Sequence, residues 1–425
     1  PQVLLRVHKG TPEELIMKAA NVLKFGGGQP AFASDEVHIK ALTNLGVPLK
    51  EAKDHAPIGC NEPAVKGARF RIREASPSLI KVFELALSDG LDPRTRKQLG
   101  PHTGDLLSFT CFDDVMESFR KQLEYFVRLG VMVTINVGEP VMAQVLPHPF
   151  LSLFTPSCIE KGLDVTEGGA PYYWASAGTG TGGPATIANS LAAIKKLVFE
   201  EKRITMAQLK EALDSNFDGR QKLRQMLLHA PKYGNDDDYA DSIARDVAEM
   251  VYDEAEKYHN PMGGKFTVGF MGLSANVVHG AVTGATPDGR EAWMPISDGI
   301  SPVQGTEKNG LTASLKSVGK LNLQRAGLGV ILNEKISPSL LKTERDLRKF
   351  AQLNKTFLCD LGGMHVQYNV VSVDTLKEAQ KYPEAYGDLM VRVVGYSALF
   401  VELPKEIQDD IIARTEHAGT FSAVN

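Results

Sequence analysis

The sequence predicts an α/β protein with at least partly parallel strands. Three observations carry that reading. Short β-branched runs alternate with helix-periodic runs along much of the chain, which is the pattern left by strands joined through helices. Clusters of Gly, Pro, Asp and Ser punctuate the runs where turns are needed. The chain has 425 residues, 43% hydrophobic and 23% charged, an ordinary globular composition with material for a large core and two or three domain-sized units.

The same figures exclude some classes. A net charge of −4 lacks the basic excess that attracts nucleic acid or an anionic membrane. No apolar run approaches the length that spans a bilayer, and the first residues carry no signal-peptide core, so a cytoplasmic protein is expected. Cys60, Cys111, Cys158 and Cys359 have neither paired metal spacing nor disulfide density. They read as reduced thiols, with Cys111, Cys158 and Cys359 in the core.

Taken in order, Val3-Leu4-Leu5-Arg6-Val7 is a strand and residues 12–23 are helix-periodic. Gly26-Gly27-Gly28 follows, with no Gly-Lys-Ser/Thr after it, so a phosphate loop fails and a flexible turn is expected. Residues 115–129 form an amphipathic helix, 131–137 (Val-Met-Val-Thr-Ile-Asn-Val) a strand, and a further helix starts at Ile187. Gly178-Thr179-Gly180-Thr181-Gly182-Gly183 satisfies the dinucleotide pattern G-x-G-x-x-G, and Glu200 and Glu201 follow at a suitable distance. Its context is wrong. Residues 171–176 make a poor buried strand, and the next element is a second helix opened by a capping box, Thr205 with Gln208, and a staple, Ile204 with Leu209. A dinucleotide-binding oxidoreductase is therefore the outlying reading.

Residues 209–258 are helical and charged, broken at Lys232-Tyr233-Gly234-Asn235-Asp236-Asp237-Asp238. The acidic triplet lacks the spacing of a calcium loop and reads as a helix start. Residues 286–290 and 297–302 are turn-rich segments between strands, and Gly362-Gly363 leads into a strand ending at Val371. Near the far end, Val391-Arg392-Val393-Val394-Gly395-Tyr396-Ser397-Ala398-Leu399-Phe400 is strand-like but interrupted by one glycine. By itself that glycine marks a bulge or tight turn.

This stretch, with Glu402-Leu403-Pro404-Lys405-Glu406 and Ile411-Ile412-Ala413-Arg414-Thr415-Glu416-His417 after it, closely resembles the C-terminal signature of the glycyl radical enzymes. The 232–238, 286–290, 301–305 and 362–371 segments are similar to that family in the same order. The resemblance implies the C-terminal half of a ten-stranded α/β barrel. Residues 1–300 would be the second half of the barrel, carrying a cysteine loop, and 301–425 the glycyl radical domain. It implies that Gly395 stores a radical on its α-carbon. Planarity with both flanking peptides suits glycine, which has no Cβ to crowd it. Val393, Val394, Tyr396 and Phe400 are then expected to bury the loop.

A second constellation is Ile58-Gly59-Cys60-Asn61-Glu62-Pro63. In extended backbone, residues i and i+2 project to one side, so the Cys60 sulfur and the Glu62 carboxylate are expected to face one cavity. The segment resembles the family's lyase-branch loop, Gly-Cys-x-Glu-Pro, which implies Cys60 as the thiyl radical that attacks substrate and Glu62 as general base. Radical C–X cleavage of a small hydroxylated substrate, of dehydratase or lyase type, follows from that pairing. Formate acetyltransferases of the family carry two adjacent cysteines, and Asn61 here disfavours acyl transfer. Arylacetate decarboxylases share Cys-x-Glu and stay open as an alternative. Asn61 itself and Gly168-Gly169-Ala170-Pro171-Tyr172-Tyr173-Trp174 depart from the family pattern.

Downstream, alternation in Ala68-Arg69-Phe70-Arg71-Ile72-Arg73-Glu74 puts three arginines on one face of an extended segment. A solvated face is the simple reading. The functional one is an anion site, with Arg73 and Glu74 nearest the expected substrate contact. The resemblance further implies a homodimer, a separate radical S-adenosylmethionine activase that installs the radical, and no bound cofactor or metal ligands. It also implies an N-terminal half-barrel that supplies the rest of the pocket. An idle fragment or partner subunit is the alternative from another class.

Overall fold

The computed structural model describes residues 3–69, 77–173, 175–179, 183–272 and 274–418. Its main sheet has five strands in the order β1-β2-β10-β9-β13. β1 (Leu4–Val7) runs parallel to β2 (Ala31–Ser34), with Leu5 opposite Phe32. β2 meets β10 (His365–Val370) antiparallel, and β10 meets β9 (Asn333–Ile336) parallel. β13 (Glu416–His417) closes the order beside β9. β2, β9 and β10 are buried along their whole length, which a two-faced covering by helices requires.

The described residues also form four two-stranded sheets. β3 (Ala56–Ile58) and β4 (Glu62–Ala64) form a hairpin, and β5 (Ala68–Arg69) pairs with β6 (Tyr172–Tyr173). β7 (Ala175–Thr179) runs parallel to β8 (Phe266–Gly269), and β11 (Met390–Arg392) with β12 (Ser397–Leu399) forms the hairpin that carries Gly395. The α/β class and the elements at 4–7, 13–23, 206–214 and 365–370 agree with the sequence reading. The Thr205–Gln208 capping box is made in both directions, and Asp237 caps the helix Asp238–Ala255.

Three expectations are corrected. Val131–Val137 is helical, continuing Phe112–Gly130 rather than forming a strand. A short β-branched run is ambiguous by periodicity, and here the preceding helix simply propagates through it. Phe112–Val145 is thereby long and apolar enough to cross a membrane by length and composition alone. Its first half is a core helix that buries Val115, Phe119, Leu123 and Val127, and such helices pass the same test. Residues 175–179 do form a strand before the glycine-rich segment, although its returning parallel partner β8 comes only after several helices. Gly180, Thr181 and Gly182 lie outside the described residues. Finally, Cys111 is exposed at the start of Phe112–Gly130 and Cys359 is half-buried, so of the three only Cys158 is a core residue.

Candidate active site

The cysteine loop is the tip of the β3–β4 hairpin. Ile58 pairs with Glu62, so Gly59, Cys60 and Asn61 make a three-residue turn, and the expected extended i, i+2 geometry is replaced by a reversal of the chain. Gly59 (φ 54°) and Asn61 (φ 102°) supply the positive φ values the reversal needs, and asparagine is among the few non-glycine residues that tolerate them. Asn61 is buried, donating from its amide nitrogen to the Val330 carbonyl at 3.2 Å. Its backbone lies so close to Gly329 that a side chain there would collide with it. The Glu62 carboxylate folds over Gly59, where an added Cβ would come within 2.7 Å of Oε2. Hairpin and carboxylate are thus held by shape as much as by hydrogen bonding.

Opposite this tip lies Gly395. Its φ is +77°, and a Cβ built on it would stand 2.6 Å from Cys60 Sγ and 2.8 Å from Cys60 Cβ. No L-residue with a side chain fits that conformation and that gap without moving one of the loops. Cys60, Val391, Val393, Val394 and Phe400 share one buried cluster with Leu328 and Ile331. Gly272 leaves room for Val394. Tyr396 departs from the expectation of burial: it is 38% exposed, with its hydroxyl 3.2 Å from Ser274 Oγ. A phenol keeps its polar tip toward polar surroundings while its ring covers apolar ones.

Two buried arginines grip the glycine hairpin. Arg392 donates from Nε to Gln367 Oε1 at 2.7 Å, and its backbone amide donates to Asn369 Oδ1 at 2.7 Å. Arg414 donates to the Val393 carbonyl at 2.8 Å and to Asp410 Oδ2 at 3.0 Å. Burial pushes Asp410 above the usual carboxylate range, opposed by the Arg414 guanidinium. Further out, His417 Nε2 lies 3.0 Å from Glu334 and 3.1 Å from Glu307. These are donor types that hold a metal, and their atoms lie within 4.8 Å of one another. Against its burial, hydrogen bonding to the two carboxylates pushes His417 up to about 10, so an imidazolium already occupies the place between them.

Behind the cysteine hairpin lies a histidine pair. His38 and His55 stack with ring centroids 5.3 Å apart, both buried. Each places Nδ1 on a backbone carbonyl, His38 on Ser34 at 2.7 Å and His55 on Ala52 at 3.0 Å. Burial, reinforced by His55, pulls His38 down to about 4.

The structure brings Cys60 and Gly395 together and puts Glu62 on the same hairpin as the cysteine. Arg71, Arg73 and Glu74 lie outside the described residues, and Arg69 is placed only as a strand residue. Sequence reasoning passes over Arg392, Arg414, Asp410 and His417. All four sit inside or beside the signature around Gly395, yet nothing in spacing alone distinguishes a buried arginine from a solvated one.

The fold and this site define a class, an α/β protein that sets a buried thiol against the α-carbon of a glycine that tolerates no side chain. Residues 1–280 match the pyruvate formate lyase-like family model and residues 296–401 the glycine radical model. The chain belongs to the pyruvate formate lyase-like family of glycyl radical proteins. It is similar to the probable dehydratase YbiW of Escherichia coli (strain K12), 41% identical over 98% of this chain and 53% of that protein. It is also similar to the trans-4-hydroxy-L-proline dehydratase of Clostridioides difficile, 36% identical over 98% of this chain and 52% of the relative. Among solved structures, the glycerol-bound B12-independent glycerol dehydratase from Clostridium butyricum superposes with a TM-score of 0.94 at 40% identity, covering 99% of this chain and 53% of that one. The chain thus spans about half the length of the curated relatives it matches.

Proposed function

We propose that the chain carries the reaction centre of a glycyl radical lyase that cleaves a C–X bond in a small hydroxylated substrate, most simply by dehydration. The observation that supports it best is the packing of Cys60 Sγ against the Gly395 α-carbon, at a glycine with no room for a Cβ. In this reading Gly395 stores the radical and Cys60 uses it. The glycyl radical takes the hydrogen atom from Cys60 S–H, and the resulting thiyl takes one from the substrate carbon that bears a hydroxyl. That hydroxyl becomes far more acidic, and Glu62 accepts its proton. The ketyl expels the neighbouring hydroxyl as hydroxide, which regains a proton from Glu62 and leaves as water. The product radical then recovers hydrogen from Cys60 S–H, regenerating the thiyl. The dehydratase names of the relatives favour this outcome over decarboxylation.

The chain is the C-terminal half of a ten-stranded barrel, with residues 1–300 bearing the cysteine loop and 301–425 the radical domain. Turnover needs the N-terminal half of that barrel, which completes the pocket, and the enzyme works in the cytoplasm of an anaerobic cell as a homodimer. A separate radical S-adenosylmethionine activase installs the radical, and no cofactor stays bound. Arg73 and Glu74 contact substrate.

The test is anaerobic activation of the enzyme with such an activase, followed by incubation with vicinal diols. A carbon-centred radical with a doublet from one α-hydrogen, chain cleavage at Gly395 on exposure to oxygen, and an aldehyde or ketone product are expected. A stable doublet with no carbonyl product from any hydroxylated substrate would rule out the lyase reading.

A further inference from the structure

Arg392 heads the largest fully buried side chains among the described residues, at 1% exposure. A buried guanidinium ordinarily has a carboxylate opposite it. Among the described residues its hydrogen-bond partners are neutral: Gln367 Oε1 at 2.7 Å from Nε and Ser397 Oγ at 3.3 Å from Nη1, while Nη2 has no partner. Burial pulls it down to about 10, and Cys60 is the group that acts in the opposite direction.

Its location explains what so expensive a side chain does. Arg392 is the last paired residue of β11, opposite Ser397, three positions before Gly395. Its backbone is clamped from both sides by one residue, with Asn369 Oδ1 accepting from its amide at 2.7 Å and Asn369 Nδ2 donating to its carbonyl at 2.6 Å. Gln367 in turn bonds Asn333, which bonds Asp298. Asp298 faces Arg414 at 3.8 Å, and Arg414 returns to the Val393 carbonyl. The glycine loop is therefore held by a closed, buried circuit that begins on Arg392 and ends on the neighbouring Val393.

The triple glycine, a turn as the sequence reading expects, completes the seat. Gly26, Gly27 and Gly28 all have positive φ, and Gly27 accepts from Ser397 Oγ at 2.8 Å and donates to the Met390 carbonyl at 3.3 Å. A Cβ on Gly28 would collide with the Arg392 side chain and stand 3.0 Å from the Tyr368 carbonyl.

We propose that Arg392 is a positioning residue: its side chain, with the stem packed over Gly28 and the guanidinium held by Gln367, fixes the approach of Gly395 to Cys60 and so governs hydrogen-atom exchange between them. The proposal rests on the reading of Gly395 as the radical store. The exchange moves one hydrogen atom, from Cys60 S–H to the Gly395 α-carbon or back, and needs no other reactant. A loss of about an ångström in such an approach costs on the order of 10²-fold in rate.

The exchange has its own readout. In D2O the Cys60 thiol becomes S–D, each round trip in which the thiyl takes back the protium leaves deuterium on Gly395, and repeated exchange collapses the doublet to a singlet without any substrate. In the activated enzyme, Arg392→Gln is expected to hold wild-type spin per chain, yet slow the collapse at least tenfold and lower kcat with KM unchanged. Arg392→Lys should recover part of both rates. Should Arg392→Gln not fold, Gln367→Leu keeps the arginine, removes the Nε acceptor and carries the same readouts. Collapse and kcat at wild-type rates in the variants that hold the radical would overturn the proposal. So would a raised KM with unchanged exchange, which would make Arg392 a substrate contact. A wild-type enzyme with no doublet would instead overturn the radical assignment itself.

Discussion

Replacing Gly395 by alanine tests the central geometry on two independent scales. At φ +77° an L-residue costs about 1–2 kcal/mol in backbone strain alone. The new methyl would sit 2.6 Å from Cys60 Sγ and 2.8 Å from its Cβ, about an ångström inside ordinary contact, in a cluster with no slack. Overpacking of that kind adds about 1–3 kcal/mol, so Gly395→Ala should destabilise the protein by roughly 2–5 kcal/mol. Urea denaturation monitored by near-ultraviolet circular dichroism reads it directly. A double-mutant cycle sharpens the test: Cys60→Ala removes the closest of the colliding atoms and should return part of the loss, with a coupling energy of about 1 kcal/mol. The activated variant should also lack the doublet. A Gly395→Ala protein within about 0.5 kcal/mol of wild type, uncoupled to Cys60→Ala and giving the same doublet, would refute both the packing argument and the radical assignment.

Cys60→Ser should keep the glycyl radical and lose turnover, because an O–H bond is too strong to exchange with Gly395, whereas Glu62→Gln should keep the radical and lose about 10²–10⁴-fold in kcat. Full activity in the Glu62 variant would exclude deprotonation by that residue. His38, held at about 4 against an ordinary 6.5, contributes stability that is complete above pH 6.5 and is lost as pH falls through 4, on the order of 3 kcal/mol. His55, Asp35 and the Ser34 carbonyl face it, and a His38→Phe protein should show a flatter stability profile over that window. Arg73→Met should weaken an anionic substrate by about 2–5 kcal/mol and leave neutral diols alone, and unchanged kinetics for both would mark the 69–73 arginines as a solvated face.

Much of this site was legible because two of its segments resemble a family signature. Gly395 by itself reads as a bulge and Cys60 by itself as a small buried thiol, and it was the resemblance of their segments to one family that paired them. The three-residue turn at Cys60 was not legible, because Gly59 and Asn61 needed to be read together as positive-φ positions rather than as flanks of an extended run. Residues 131–137 misled for the opposite reason: β-branching favours strands, but a helix already nucleated at Phe112 extends at little further cost. The circuit from Arg392 to Arg414 crosses about 115 positions of chain, through Gln367, Asn333 and Asp298, and no local pattern reports a partner that distant.

The glycine hairpin stands outside the main sheet, as its own two-stranded unit. Of the five strands that make up that sheet, only β13 follows Gly395 in the chain, and it pairs at an edge through two residues. A chain severed at Gly395 would therefore keep β1, β2, β10 and β9 in register, with the detached piece still tethered by Arg414 and His417 to carboxylates on the body. Damage at the reaction centre would be silent to most assays of folding. If Gly395 carries the radical as proposed, activated preparations exposed to air are expected to retain their circular dichroism and solubility while a shortened band accumulates on denaturing gels, so that mass, rather than stability, reports the history of the sample.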